Sequence, residues 1–190
     1  MPTTNTSAHI RGIAFGAAIL TLFGLAWCLA SLLNWPSHPH WTIVLALGIA
    51  ASLIAASAFR IVCPGGATAP DATRAAADGR RAGILFGIIF TLEGAFIALA
   101  AVLLSRHQLT DWIPVAAALI VGVHFLPLAH VFRVPLYYAT GVLSILAAVV
   151  CFAIRDPASR VFWLGLSMAA ILWLSASAAL LQTRPPRVAS

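Results

Sequence analysis

The stretch GILFGIIFTLEGAFIALAAVLLSRHQLTDWIPVAAALIVGVHFLPLAHVFR, residues 83–133, decides how the chain is read. Two apolar runs flank a polar turn at His107 and Gln108, and each carries one group that lipid tolerates poorly: Glu93 in the first, His124 in the second. Counted from the turn, each lies about fifteen or sixteen residues away, roughly 22 to 24 Å along a helix. Antiparallel neighbours therefore bring Glu93 and His124 level to within about one helical turn. A charged group at mid-bilayer costs at least roughly 2.5 to 3.5 kcal/mol, so it turns to the bundle interior and finds a partner or water. Glu93 with His124 is the pairing this predicts. A protonated carboxyl hydrogen-bonded in the bundle and an ion pair with the imidazole both satisfy the rule, and the residues leave that choice open.

The rest of the chain places this hairpin in a membrane. Hydrophobic residues make up 62% and charged residues only 8%, whereas about a quarter of a typical soluble domain is charged. That composition excludes a soluble fold. All eleven basic side chains are arginines, a habit of GC-rich bacterial genomes. The high pI of 10.6 reflects arginines at membrane edges, and 190 residues filled with apolar spans leave no room for a nucleic-acid-binding domain.

Six apolar runs meet the roughly 17 to 25 residues that a spanning helix needs. They are Gly12 to Leu33, Trp41 to Val62, Ala82 to Leu104, Trp112 to Val131, Pro135 to Ile154 and Val161 to Leu181. The first is longer than a signal-peptide core of about 7 to 15 residues and is expected to stay in the membrane. Turn residues fill the short gaps: Asn34, Pro36 and Pro39, then Pro135, then Asp156 and Pro157. The one long gap, Pro64 to Arg81, reads as a flexible linker, or as a brief interfacial helix capped by Asp71. The expected fold is an all-α bundle of six transmembrane helices forming a single integral membrane domain. Cys28, Cys63 and Cys151 are dispersed without a CxxC spacing and read as small buried hydrophobes.

With the amino terminus in the cytoplasm, Arg11, Arg60, Arg74, Arg80, Arg81, Arg133, Arg184 and Arg187 fall inside, and Arg106, Arg155 and Arg160 outside. This bias favours both termini cytoplasmic. Trp35, Trp41, Trp112 and Trp163 then gather at the outer interface, where amphipathic rings anchor helix ends. The expected location is the bacterial cytoplasmic (inner) membrane, with membrane lipids as surroundings.

A faint repeat pairs residues 12–62 with 83–134. Gly12-Ile13-Ala14-Phe15-Gly16 recurs as Gly83-Ile84-Leu85-Phe86-Gly87, Thr21-Leu22-Phe23-Gly24 as Thr91-Leu92-Glu93-Gly94, and Phe59-Arg60 as Phe132-Arg133. The orientation is the same in both units, which makes the repeat parallel. Phe23 then stands where Glu93 stands, so only the second hairpin has a carboxylate. The two GxxxG patterns suit close helix approach.

His124-Phe125-Leu126-Pro127-Leu128-Ala129, followed by Phe132, Pro135, Tyr137-Tyr138 and Gly141, resembles a signature of small uncharacterised multi-pass proteins of the bacterial inner membrane. The resemblance implies location and topology, with no activity and no catalytic residue to carry over. Read physically, Pro127 removes a backbone donor and leaves the Val123 carbonyl without its usual partner beside His124. A kink there opens space that Tyr137, Tyr138 and Thr140 can line; alternatively the tyrosines are interfacial anchors. His130 and Arg133 lie nearer the cytoplasmic edge, at headgroup level.

Signatures of enzymes are missing: no HExxH, no GxSxG and no GxxxxGK[ST] occurs. A single deep histidine is too little for a paired haem site, and His38-Pro39-His40 with His107 reads as ordinary loop histidines, so no catalytic residue, metal or cofactor is assigned. Two functions stay open. In one, Glu93, His124, Tyr137 and Tyr138 form a polar site that moves a proton or small solute. In the other, the protein is structural or accessory and the polar pair locks one hairpin to its neighbours.

Overall fold

The computed structural model describes residues 6–34, 48–49, 51–52, 72–132 and 134–182, and all regular structure among them is helical. The elements are α1 Thr6–Leu33, α2 Ala72–Arg106, a 3-10 turn at Thr110–Trp112, α3 Ile113–Phe132, α4 Leu136–Phe152 and α5 Pro157–Gln182. Residues 48–49 and 51–52 are also helical, and the rest of the expected second span lies outside the described residues. Phe15–Leu33, Gly83–Arg106, Thr110–Val131 and Pro157–Leu181 are long and apolar enough to cross a membrane.

α4 is apolar but only 17 residues long, roughly 26 Å against a hydrocarbon core of about 30 Å. It is trimmed at both ends relative to Pro135–Ile154. Pro135, which has no N–H to continue a ladder, occupies the N-cap. At the other end, the amides of Ala153 and Ile154 donate back to Val150 and Cys151 and close the last turn. α5 begins at once: Asp156 is its N-cap, its carboxylate accepts from the Ser159 amide at 2.7 Å, and Pro157 takes the first helical position.

Of the two readings of Pro64 to Arg81, α2 favours the helix from residue 72 onward, while Pro64 to Asp71 lies outside the described residues. The 35 residues of α2 start at Ala72 and run without interruption to Arg106, so the alanine-rich stretch before the span is a helical extension of it. Leu109 and Gln108 close its far end by donating to Leu104 at 2.8 Å and Ser105 at 3.2 Å, and Gln108 adopts a left-handed φ of 59° to do so.

Paired contacts fix the helix directions. Ser31 Oγ donates to the Phe162 carbonyl at 2.9 Å and Trp173 Nε1 to the Thr21 carbonyl at 3.2 Å, so α1 and α5 are antiparallel. α3 and α4 cross closely at Gly122 and Gly141: a Cβ on Gly141 would lie 2.7 Å from the Gly122 carbonyl oxygen. Phe15 meets Phe86 and Phe23 meets Phe90 edge-on, which makes α1 and α2 parallel. Small residues let the helices approach closely, and Ala17, Ala118, Ala148 and Ala176 fill the interior with Leu164, Met168 and Leu172. The GxxxG of α2 takes no part in this packing: among the described residues, nothing lies within 4 Å of where side chains on Gly83 or Gly87 would stand.

Candidate functional site

Glu93 and His124 stand near the middles of the spans Gly83–Arg106 and Thr110–Val131. Oε2 of Glu93 lies 3.5 Å from Nε2 of His124, and the two side chains are 6% and 13% exposed. Glu93 is the one buried side chain among the described residues of α2. Its neighbours in sequence, Leu92 and Phe96, are exposed by 51% and 56%. The helix is therefore turned so that its carboxyl points into the bundle, on the face from which Phe86, Ile89 and Ile97 pack against the core.

The imidazole is held from behind. His124 Nδ1 lies 3.0 Å from the Val121 carbonyl oxygen. A carbonyl can only accept, so Nδ1 carries the hydrogen and Nε2 is the nitrogen left to face Glu93. In that arrangement the neutral pair contains a single proton between Oε2 and Nε2, whether it is written as carboxylic acid with imidazole or as carboxylate with imidazolium. Removing this proton leaves a net negative charge at mid-span, which a cation or a new proton compensates. At 3.5 Å the contact is long for a hydrogen bond and too short to admit a bridging water.

The structure separates the other candidates. Tyr137 is buried beside Phe125, with ring centroids 5.9 Å apart, and its hydroxyl lies against α1, where a Cβ on Gly16 would meet it at 2.7 Å. Tyr138 is 44% exposed and lines an open cleft of about 530 Å³ whose other walls are Leu85, Ala129, His130, Val131 and Pro135. Adjacent helical residues point about 100° apart, so the two tyrosines cannot serve one site. Thr140 does not line a polar cavity with them: its hydroxyl lies 3.1 Å from the Leu136 carbonyl and 2.7 Å from Ser175 Oγ, bridging α4 to α5. Pro127 stands within α3 without ending it, and the carbonyl that holds His124 is that of Val121.

A second polar cluster went unread in the sequence. Arg160, counted there as one of the outer arginines, is 3% exposed. Its Nε donates to the Ile154 carbonyl at 3.1 Å and one terminal nitrogen to the Arg155 carbonyl at 3.2 Å, while the guanidinium stacks 3.8 Å from the centre of the Trp112 ring. This side chain binds the end of α4 to the start of α3 and α5. Cys28 and Cys151 are buried, and Cys63, His38 and His40 lie outside the described residues. Among the described residues no three His, Cys, Asp or Glu side chains converge as a metal site.

Comparison with known proteins adds one relationship. A family of unknown function, DUF7010, matches residues 82–182, just over half of the chain. The chain belongs to this family. The matched region runs from the apolar part of α2 through α5, so the Glu93–His124 contact and the Arg160 cluster both fall inside the DUF7010 region, and α1 falls outside it. No curated protein and no solved structure matches the chain.

Proposed function

We propose that this chain is a six-span protein of the bacterial inner membrane, with both termini cytoplasmic, in which the Glu93–His124 pair takes up and releases a proton or a small cation during transport. The observation that carries the reading is the 3.5 Å contact at mid-span between a buried carboxyl and an imidazole whose other nitrogen is already committed. Such a pair has a neutral state that lipid tolerates and a deprotonated state that invites a cation, which is what an exchange site requires. The site consists of Glu93 and His124; Tyr137 and Tyr138 act elsewhere, as a core contact and as an interfacial side chain.

The six-span topology has support beyond hydropathy. α1 and α2 run parallel, so Leu33 and Ala72 lie at opposite ends of the bundle. Gly48, helical in that interval, stands where a Cβ would touch Trp173 at 2.9 Å and Cys28 Sγ at 3.5 Å, contacts typical of a spanning segment. The parallel α1 and α2, with Phe15 near Phe86, also agree with a duplication of 12–62 as 83–134. The arginine bias supplies the orientation.

A structural lock is the second reading, and the isolation of Glu93 as the buried side chain of α2 favours it. Proton or cation flux into proteoliposomes, measured for the wild type and for Glu93→Gln, separates the two. An exchange site loses flux in Glu93→Gln, because the amide keeps the size and hydrogen bonding of the acid but cannot ionise. A lock leaves Glu93→Gln nearly silent, and instead Glu93→Leu or His124→Leu alone costs roughly 1 to 3 kcal/mol, much of it recovered in the double variant.

A further inference from the structure

The cleft lined by Leu85, Ala129, His130, Val131, Pro135 and Tyr138 lies outside the Glu93–His124 contact. Its depth in the bundle is set by the spans that border it. The apolar span of α3 ends at Val131 and that of α2 begins at Gly83, two residues before Leu85. The cleft therefore opens where apolar helix surface gives way to polar chain, the level at which lipid phosphates lie. Among the described residues its polar lining consists of His130 and Tyr138, both exposed, with no carboxylate. An imidazole N–H and a phenolic O–H donate to phosphate oxygens. Arg80, also exposed, precedes the α2 span by one turn and adds positive charge at this end.

The cleft continues into an apolar track. From Leu85 the exposed residues Ile88, Leu92, Phe96 and Leu99 follow at intervals of three and four along α2, which places them on one face. From Leu85 to Leu99 that face runs about 21 Å, the length scale of an extended acyl chain. A free phosphate would have no use for it.

We propose that the cleft is a headgroup site for an anionic phospholipid, with the phosphate held by His130 and Tyr138 and one acyl chain lying along the Leu85–Leu99 face. The test uses full-length protein stripped of lipid in a neutral detergent and incubated with dioleoylphosphatidylglycerol, dioleoylphosphatidylcholine or inorganic phosphate. Native mass spectrometry reads retained lipid and a melting curve reads protection. The wild type is expected to retain one phosphatidylglycerol per chain in preference to phosphatidylcholine. A His130→Ala/Tyr138→Phe variant should hold it about tenfold more weakly, equivalent to about 1.4 kcal/mol. Leu85→Trp, which fills the cleft from a lipid-facing position, should produce the same loss, and Arg106→Ala at the opposite end should not. The proposal is overturned if phosphatidylcholine is retained as well as phosphatidylglycerol, or if inorganic phosphate protects as well as the lipid. Undiminished binding by Leu85→Trp overturns it too, and that variant decides the matter should the double variant fail to fold.

Discussion

A carboxyl in an apolar span is costly wherever lipid can reach it, and Glu93 shows how the chain answers that cost: among the described residues of α2 it is the side chain most withdrawn from the surface. The solution was legible in the sequence because depth follows from counting residues and the partner had to be polar. Arg160 was not legible. A helix-start arginine beside a loop has the same local sequence whether it reaches headgroups or folds inward, and only the tertiary placement of Trp112 and of the Ile154 and Arg155 carbonyls draws it in. The buried guanidinium depends on its planar fork, which a lysine ammonium lacks. Arg160→Lys is therefore expected to lower stability by about 1 to 3 kcal/mol, read by denaturant unfolding in detergent with Trp112 fluorescence as one probe. Wild-type stability in that variant would mean that charge alone, without the fork, suffices.

At the scale of elements, proline and aspartate announced their helix boundaries and alanine did not. Pro135 and Asp156-Pro157 stand where α4 and α5 begin, because a residue without an N–H and a side chain that accepts from N–H groups suit few other places. The start of α2 stayed open between a linker and a helix after Asp71, since Ala-rich sequence with Gly79 satisfies both, and Gln108 gave no hint of its left-handed φ. The second GxxxG was likewise ambiguous, since small residues at helical spacing fit a helix–helix contact and an open face equally well. The α5 cap yields a pH prediction. Hydrogen bonds from the Ser159 side chain and amide hold the Asp156 carboxyl below the usual carboxylate range, with the charge of Arg160 contributing less. A carboxyl depressed in the folded state stabilises fully above its unfolded pKa of about 3.9, and that contribution disappears as pH falls through the folded value. Melting profiles between pH 6 and pH 3 should thus show the wild type losing its advantage over Asp156→Asn on acidification, since the asparagine caps without titrating. Parallel pH profiles for the two proteins would remove the carboxylate from the account.

For the whole molecule, the antiparallel α1–α5 pair puts the start of α1 and the end of α5 at one end of the bundle, and the parallel α1–α2 pair puts the start of α2 there too. The helical class and most spans were readable from hydropathy, whereas the way the helices pair was not, because apolar faces in lipid have no preferred partner until small residues and a few polar groups select one. The proposed orientation predicts that, in a cysteine-free background, a cysteine at position 107 is labelled from outside the cell and one at position 80 only from the cytoplasm; the reverse pattern would invert the topology. The central claim, that Glu93 works as an exchange site with His124, is tested most directly by flux in proteoliposomes across an imposed pH gradient. Wild-type protein should pass protons or a small cation, and Glu93→Gln, with an unchanged melting profile, should reduce that flux to the level of empty vesicles. Equal flux through the wild type and Glu93→Gln would contradict the claim.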